Sequence, residues 1–400
     1  TRTISSAASD VYKRQSIKNP IIKDYTFVIF LIAVATSYFE IFYAWAKVQF
    51  QSVFGNILKE LWNRIVTMIL LFAVYFEFIT KPEFIYYLTG AYFLRMLVMM
   101  IYALKLYTPK FTFSKPENFR EIIRFSCYII LAGSAGAIIL DIDKFMIPGK
   151  ESLVKAAYYS VAVFIGSFIE APSRAMLSIL QPLTSKTLNE GNHIEVESLY
   201  KKSSINLLLI SGLFFILINT NANQLFNLLP KEYSGGILVV LMISLLKLYN
   251  GFLGNNGAII SNSKFYKITL PISLTMAFSV YFLNKLFYYE LDMGTNGLAL
   301  ATLIVIFSAN TFKLIFVKSK LAITPFTNKT SSLLVIIAVF YFLFNFWEFN
   351  LSNIYILDMP VHTFLNIILK SVLIVVSYLF LIFKLNISPE FKNLFKKYYK

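Results

Sequence analysis

Eleven stretches of about 20 apolar residues run along this chain, at about 25–46, 62–80, 84–105, 125–147, 156–183, 204–220, 235–253, 268–288, 295–317, 332–348 and 362–383. A helix rising 1.5 Å per residue needs about 20 such residues to cross a hydrocarbon layer about 30 Å thick. Each stretch is therefore read as a transmembrane helix, and the expected fold is an all-α, polytopic membrane helical bundle of about 11 spans. Composition leaves no soluble alternative. With 57 % hydrophobic and 14 % charged residues, the chain of 400 carries more apolar surface than a globule of that size hides, and the excess must face lipid.

The joining segments alternate between lysine-rich and lysine-poor. Lys47, Lys59 and Arg64 follow the first span, and Lys105, Lys110, Lys115, Arg120 and Arg124 the third. Lys186, Lys201 and Lys202 follow the fifth, Lys264 and Lys267 the seventh, and Lys318, Lys320 and Lys329 the ninth. The tail adds Lys384, Lys392, Lys396, Lys397 and Lys400. The opposite loops hold little beyond Lys81, Lys150, Lys155 and Lys231, and two of them carry Glu290, Asp292, Glu348 and Asp358. By the positive-inside rule the basic set, with the C-terminus, is cytoplasmic. That placement accounts for the net charge of +16 without a nucleic-acid partner.

The single cysteine, Cys127, falls inside a span, which excludes a disulfide framework or a thiolate metal site within the chain. The opening TRTISSAASDVYKRQ starts at Thr1, is polar and lacks an apolar h-region. It resembles translated adaptor sequence, so residues 1–15 are expected to be a non-native leader and the true N-terminus to be missing. Eleven spans with a cytoplasmic C-terminus place Lys13, Arg14, Lys18 and Lys23 outside, the side that suits them least, as a truncation predicts. The segment 106–124, with Pro109, Pro116 and basic residues, is expected to link two helical lobes. The link 188–204, with Ile194, Val196 and Leu199 among charges, reads as a short interfacial helix, and Gln49 to Leu61 as another.

Ionisable groups inside the hydrocarbon are costly and mark function by default. Arg95 lies midway along its span, roughly 16 Å from either end at 1.5 Å per residue, too deep for easy snorkelling. Either it lines a polar cavity or it makes a structural interhelical pair. Glu170 and Arg174 flank Pro172 at i,i+4, where they share a face and neutralise each other, as an inert pair or as one broken on binding. Asp141, Asp143 and Lys144 close the fourth span in LDIDKFMIPG; the two acids face different directions, so at least one needs a partner inside the bundle. A buried carboxylate is the usual ion-coupling device; the alternative is a helix-end cluster reaching water. Lys247 precedes GFLGNNGAII, whose glycines at 251, 254 and 257 permit a broken helix or close helix packing. Glu40, Lys313, His362, Asn366 and Lys370 are weaker candidates, expected to pair or snorkel.

There is no G-x-x-x-x-G-K phosphate loop, no H-E-x-x-H and no nucleophile elbow, and the two histidines, His193 and His362, fall on opposite membrane sides. No cofactor or metal is expected, and the outer loops are too short for a membrane glycosyltransferase or polymerase. The expectation is that the chain is not an enzyme.

Several stretches resemble the polysaccharide biosynthesis proteins of the multidrug/oligosaccharidyl-lipid/polysaccharide exporter superfamily, the O-antigen (Wzx-type) flippases. The resemblance is carried by LDIDKFMIPG at 140–149, YYSVAVFIGSFIEAPSRAMLSILQPLTSK at 158–186, LYKKSSINLLLISGLFFIL at 199–217, KLYNGFLGNNGAIISNSKFYK at 247–267 and MGTNGLALAT at 293–302. It spans about residues 25–384, and the order and spacing of the motifs carry more weight than any one of them. It implies fourteen helices in two six-helix lobes plus a final pair, of which this chain holds the last eleven. Residues 16–105 would be a partial first lobe of three helices, 106–124 the linker, 125–318 the second lobe of six, and 319–400 the final pair with a basic tail. It also implies translocation of undecaprenyl-pyrophosphate-linked oligosaccharide across the bacterial inner membrane, with membrane lipid and glycan polymerases as partners.

The physics of that cargo points the same way. A polyprenyl tail stays in lipid while the pyrophosphate crosses, and cations in a wet cavity replace its hydration with charge-assisted hydrogen bonds. Arg95, Arg174 and Lys247 are the candidates for that role, and Asp141, Asp143 and Glu170 for ion coupling during alternating access. Competing readings are a drug or cation exporter, whose site should be acidic and aromatic, and a membrane glycan polymerase or ligase.

Overall fold

The computed structural model describes residues 25–109, 117–349, 355–356 and 359–390. Residues 1–15, Lys18, Lys23, Lys110, Lys115, Pro116, Asp358, the tail residues Lys392, Lys396, Lys397 and Lys400, and the side chain of Lys231 lie outside the described residues. Among the described residues the one departure from helix and turn is a two-residue antiparallel pair, Tyr355–Ile356 with Met359–Pro360. The chain divides into two compact units, Thr1–Ser114 and Lys115–Lys400.

The first unit contains α1 (Thr26–Val48), α2 (Val53–Ile57), α3 (Asn63–Tyr75) and α4 (Lys81–Leu106). A π-helical turn, Leu58–Trp62, joins α2 to α3 with helical dihedrals at both ends, so 49–61 leads into a membrane-type helix and is not a separate interfacial one. The turn carries Lys59, whose ammonium meets Glu40 of α1 at 2.6 Å. Helix α4 starts where the sequence Thr-Lys-Pro-Glu dictates. The Glu83 carboxylate accepts from the Thr80 N–H at 2.7 Å while Thr80 caps Glu83 in return, and Pro82 fits the first turn. Phe39, Tyr43 and Ala46 form a helical stripe on α1 that packs with Leu58, Met99 and Ala103.

The second unit runs through α5 (Phe119–Lys150), α6 (Leu153–Ser167), α7 (Ala171–Asn189), α8 (His193–Thr220), α9 (Ala222–Asn227), α10 (Ile237–Leu253), α11 (Asn256–Asn262), α12 (Thr269–Asn284), α13 (Gly294–Leu321), α14 (Thr330–Asn345) and α15 (Val361–Lys384). Helix α8 is its axis: 72 % of its apolar window is buried, against 11–33 % for the other spanning helices, whose apolar faces are left for lipid. Leu208, Leu209, Phe215 and Ile216 of α8 pack with Phe252 of α10, Leu333, Ile337 and Phe340 of α14, and Ile374 and Tyr378 of α15. Two polar bonds also join α15 to α8. Lys370 Nζ donates to the Thr220 carbonyl at 2.6 Å, and Tyr378 Oη to the Leu209 carbonyl at 2.9 Å. The first satisfies a carbonyl that a helix C-terminus leaves open and sets a cation at its negative end.

Several expectations need correction. The polar start of 188–204 opens α8 itself, from His193, so its charges lie on the first turns of one continuous rod and not on a separate interfacial helix. Helix α5 begins at Phe119, inside the expected linker, and continues past the Asp-Ile-Asp-Lys cluster to Lys150. Helices α10 and α11 form one apolar path bent by 58°. The bend falls at Gly254, with φ +55°, where the chain crosses α8 so closely that a Cβ would lie 2.8 Å from the Ser204 nitrogen. By length and composition, eight helices among the described residues suffice to cross a membrane, or nine with the bent pair. The remaining two of the eleven stretches form α3, 13 residues that continue from α2 through the π turn, and α14, of 16 residues. Among its described residues the chain is an all-helical membrane protein with eight candidate spanning helices.

Candidate functional site

The most demanding group in the second unit is Asp143 of α5, 3 % exposed. Its neighbour two residues earlier, Asp141, is exposed and pairs with Lys144 at 2.7 Å. Residues two apart on a helix point about 200° apart, so one acid of the pair faces inward and the other outward. Three neutral donors from three other helices hold Asp143. Tyr159 Oη of α6 donates to Oδ2 at 2.6 Å, Thr302 Oγ1 of α13 to Oδ2 at 3.1 Å, and Asn284 Nδ2 of α12 to Oδ1 at 2.6 Å. Among the described residues no cation pairs with it, because Lys144 has turned to Asp141. A buried anion held only by neutral dipoles has a strong drive to take up a proton or small cation. Asn284 Oδ1 lies beside it, buried and without a hydrogen-bond partner. Turning that amide over presents an acceptor to Asp143 instead of a donor, which suits a protonated acid.

Tyr159 also lines a cavity of about 360 Å³ with Lys155, Tyr158, Glu232, Tyr233, Val239 and Thr295, so Asp143 is one residue from a chamber that holds two charged side chains in a largely apolar wall. A clasp joins the end of α5 to the connection between α12 and α13. Lys150 Nζ meets Asp292 Oδ1 and the Tyr288 carbonyl, both at 2.6 Å, and Tyr288 Oη donates to Glu151 at 3.0 Å. The hydrogen bond from Lys155 holds the Glu151 carboxyl below its usual range, and the hydrogen bond from Lys150 does the same for Asp292. Depressed carboxyls add stability above their unfolded values, about 4, and lose it as pH falls through the lower folded values. Hydrogen exchange at 288–294 should therefore stay slow at pH 5 to 7 and accelerate only in stronger acid; acceleration already at pH 6 would show that the clasp does not depend on these acids.

A second polar centre lies at the break between α6 and α7. The 3-10 turn Phe168–Glu170 ahead of Pro172 brings Glu170 Oε2 to 2.6 Å from Lys247 Nζ of α10. Beside the expected local partner Arg174, which lies one turn on and is exposed, Glu170 thus has a partner on another helix. The Lys247 side chain is 9 % exposed and that of Glu170 29 %. Replacing Glu170 with alanine strands a buried ammonium and should cost about 3 kcal/mol, the low end for breaking such a pair because Glu170 retains some water. The double change E170Q with K247M should cost clearly less, and thermal unfolding in detergent distinguishes additive from compensating effects.

In the first unit Arg95 is 3 % exposed, and its guanidinium lies 4.2 Å from the Phe39 ring centre and 5.0 Å from that of Tyr92. Its Nε has no hydrogen-bond partner. The aromatic faces supply the interhelical contact that the sequence left open between cavity and pairing.

Of the six candidates, the structure thus brings Lys247 and Glu170 together, buries Asp143, encloses Arg95 between rings, and leaves Asp141 and Arg174 exposed. Sequence reasoning missed Tyr159, Asn284 and Thr302. Their one signal was a polar residue within an apolar run, most visible for Asn284. It also missed a polar seam at the α10–α11 bend, where Asn255 Nδ2 donates to Thr184 at 2.8 Å, Ser203 Oγ donates to Asn255 Oδ1 at 3.1 Å and Asn256 Nδ2 donates to Tyr200 at 2.6 Å. Among the described residues no cluster of three or more His, Cys, Asp or Glu is placed to hold a metal ion. Compared with protein-family models, curated proteins and solved structures, the chain matches none.

Proposed function

We propose that the protein is an ion-coupled carrier of the bacterial inner membrane, its C-terminus cytoplasmic, that flips undecaprenyl-pyrophosphate-linked oligosaccharide by alternating access. The observation that carries the reading is Asp143. A carboxylate buried among three neutral donors, with an orphan amide oxygen beside it and a chamber bearing Lys155 and Glu232 one residue away, is suited to binding and releasing a proton or small cation. Binding would neutralise the acid and turn Asn284, changing the contacts between α5, α12 and α13. The segments that resemble O-antigen flippases, and the positive-inside charge pattern, support the cargo and the orientation.

The cationic residues have unequal claims on the headgroup. Arg95 has a donor to spare, whereas Lys247 already holds its counter-ion and serves an anionic cargo only when Glu170 releases it. That neutralised pair favours a second reading, export of organic cations through an acidic and aromatic path. Proteoliposomes holding a fluorescent undecaprenyl-pyrophosphate oligosaccharide test the choice. A proton or sodium gradient should accelerate loss of outer-leaflet label; cation-dye efflux without flipping would establish the second reading, and neither activity would remove both.

A further inference from the structure

The observations around Lys313 of α13 point to a lipid site in the second unit, separate from Asp143 and independent of the proposed cargo. A cavity of about 240 Å³ lies among α5, α11, α12 and α13, lined by Lys313, the hydroxyls of Ser261, Thr269 and Ser273, and Gly133 and Gly257. That is room for about eight waters at 30 Å³ each, or for one phosphate group with part of what bears it. Lys313 is only partly buried, and among the described residues its one hydrogen bond is a 3.3 Å contact with Asn310; no carboxylate pairs with it. Among the described residues of this unit the two buried lysines each have a close oxygen partner, Lys247 in Glu170 and Lys370 in the Thr220 carbonyl, both at 2.6 Å. Thr269 Oγ1 donates to the Tyr266 carbonyl at 2.7 Å, which leaves the ammonium with the Ser261 and Ser273 hydroxyls as a donor set for an oxyanion.

The chamber has an apolar neighbour. Ile272 lines both it and a groove of about 670 Å³ between α12 and α13, walled by Pro271, Met276, Ile304 and Phe312. A ligand filling both must be anionic at one end and hydrocarbon at the other. The position fits as well. Lys313 lies five residues before Lys318, about 7.5 Å deeper along α13, and Lys264, Lys267, Lys318 and Lys320 crowd the same end of the helices. A chamber just below a basic rim is where a headgroup phosphate gives way to its chains.

We propose that a phospholipid binds here, its phosphate on Lys313 and the Ser261 and Ser273 hydroxyls and one chain in the α12–α13 groove. Purified protein in mild detergent, titrated with phosphatidylglycerol and followed by native mass spectrometry, should take up one lipid saturably. K313M should weaken it about tenfold or more, and K313R should retain it within a few-fold, as expected for a charge-assisted contact. S279F, which fills the groove, should weaken it independently of the charge. Diacylglycerol with the same chains should bind poorly, and calorimetry should find inorganic phosphate weaker than the lipid. Equal lipid binding by wild type and K313M, or diacylglycerol as tight as phosphatidylglycerol, would overturn the phosphate contact. Inorganic phosphate as tight as the lipid would make this a free-anion site and overturn the lipid. Should K313M fail to fold, unchanged lipid binding by S279F is enough to sink the proposal.

Discussion

Asp143→Asn is expected to abolish gradient-driven transport while the protein remains folded. The change keeps the shape, and Asn284 can turn its unpartnered oxygen toward the new amide, so the site stays hydrogen-bonded. Interhelical hydrogen bonds in membranes average about 0.6 kcal/mol and reach about 1.7, which bounds the stability loss near 1–2 kcal/mol. Loss of the ion-binding step should be far larger, about 100-fold or more, equivalent to about 2.7 kcal/mol. Asp143→Leu separates the two effects from the other side, because it leaves the Tyr159, Thr302 and Asn284 donors facing an apolar group and should lower the melting temperature as well. Reconstituted transport at the wild-type rate by the asparagine variant would remove Asp143 from the mechanism.

Gly254→Val should be the most destabilising single substitution at the bent helix. Two causes add. The backbone there has φ +55° and ψ −131°, a region L side chains disfavour, and a Cβ would lie 2.5 Å from Ser203 Oγ and 2.8 Å from the Ser204 nitrogen. Strain of about 1–3 kcal/mol and overpacking of about 1–3 kcal/mol together give roughly 2–6 kcal/mol. Relief requires α10 to move away from α8, which would break the bond from Ser203 of α8 to Asn255. Gly257→Ala is the matched control, since a Cβ there meets nothing within 4 Å. Thermal unfolding in detergent should find the alanine variant close to wild type and little folded valine variant; equal stability of the two would mean that the bend is not built on Gly254.

Hydropathy located the helices because lipid leaves a chain only one economical way to satisfy its backbone. It did so less well for breaks and ends. The charges at 193–202 suggested a separate surface helix, yet nothing in them stops an α-helix, and Val196 and Tyr200 bury against α11 and the end of α13. The bend at Gly254 was legible from glycines at 251, 254 and 257, whereas the turn at 168–170 that redirects Glu170 was marked only by Pro172. Spacing along one helix is blind to neighbours 77 residues away, which is why Arg174 was the expected partner of Glu170 and Lys247 is an observed one. Asp143 was legible as one of two acids on opposite faces. Its inward aim and its three donors depend on how α5, α6, α12 and α13 pack, and no periodicity links 143 with 159, 284 and 302.

The bonds from α15 to α8 carry a mechanical consequence. Lys370 and Tyr378 stand about two turns apart on α15, and the carbonyls they reach, Thr220 and Leu209, stand about three turns apart on α8, so two rungs tie the rods as they run in opposite directions. One rung would act as a pivot; two oppose both sliding and rotation about the helix axis. A change of shape that keeps both bonds must therefore carry α15 along with α8, so a displacement at one end of α15 reaches the other.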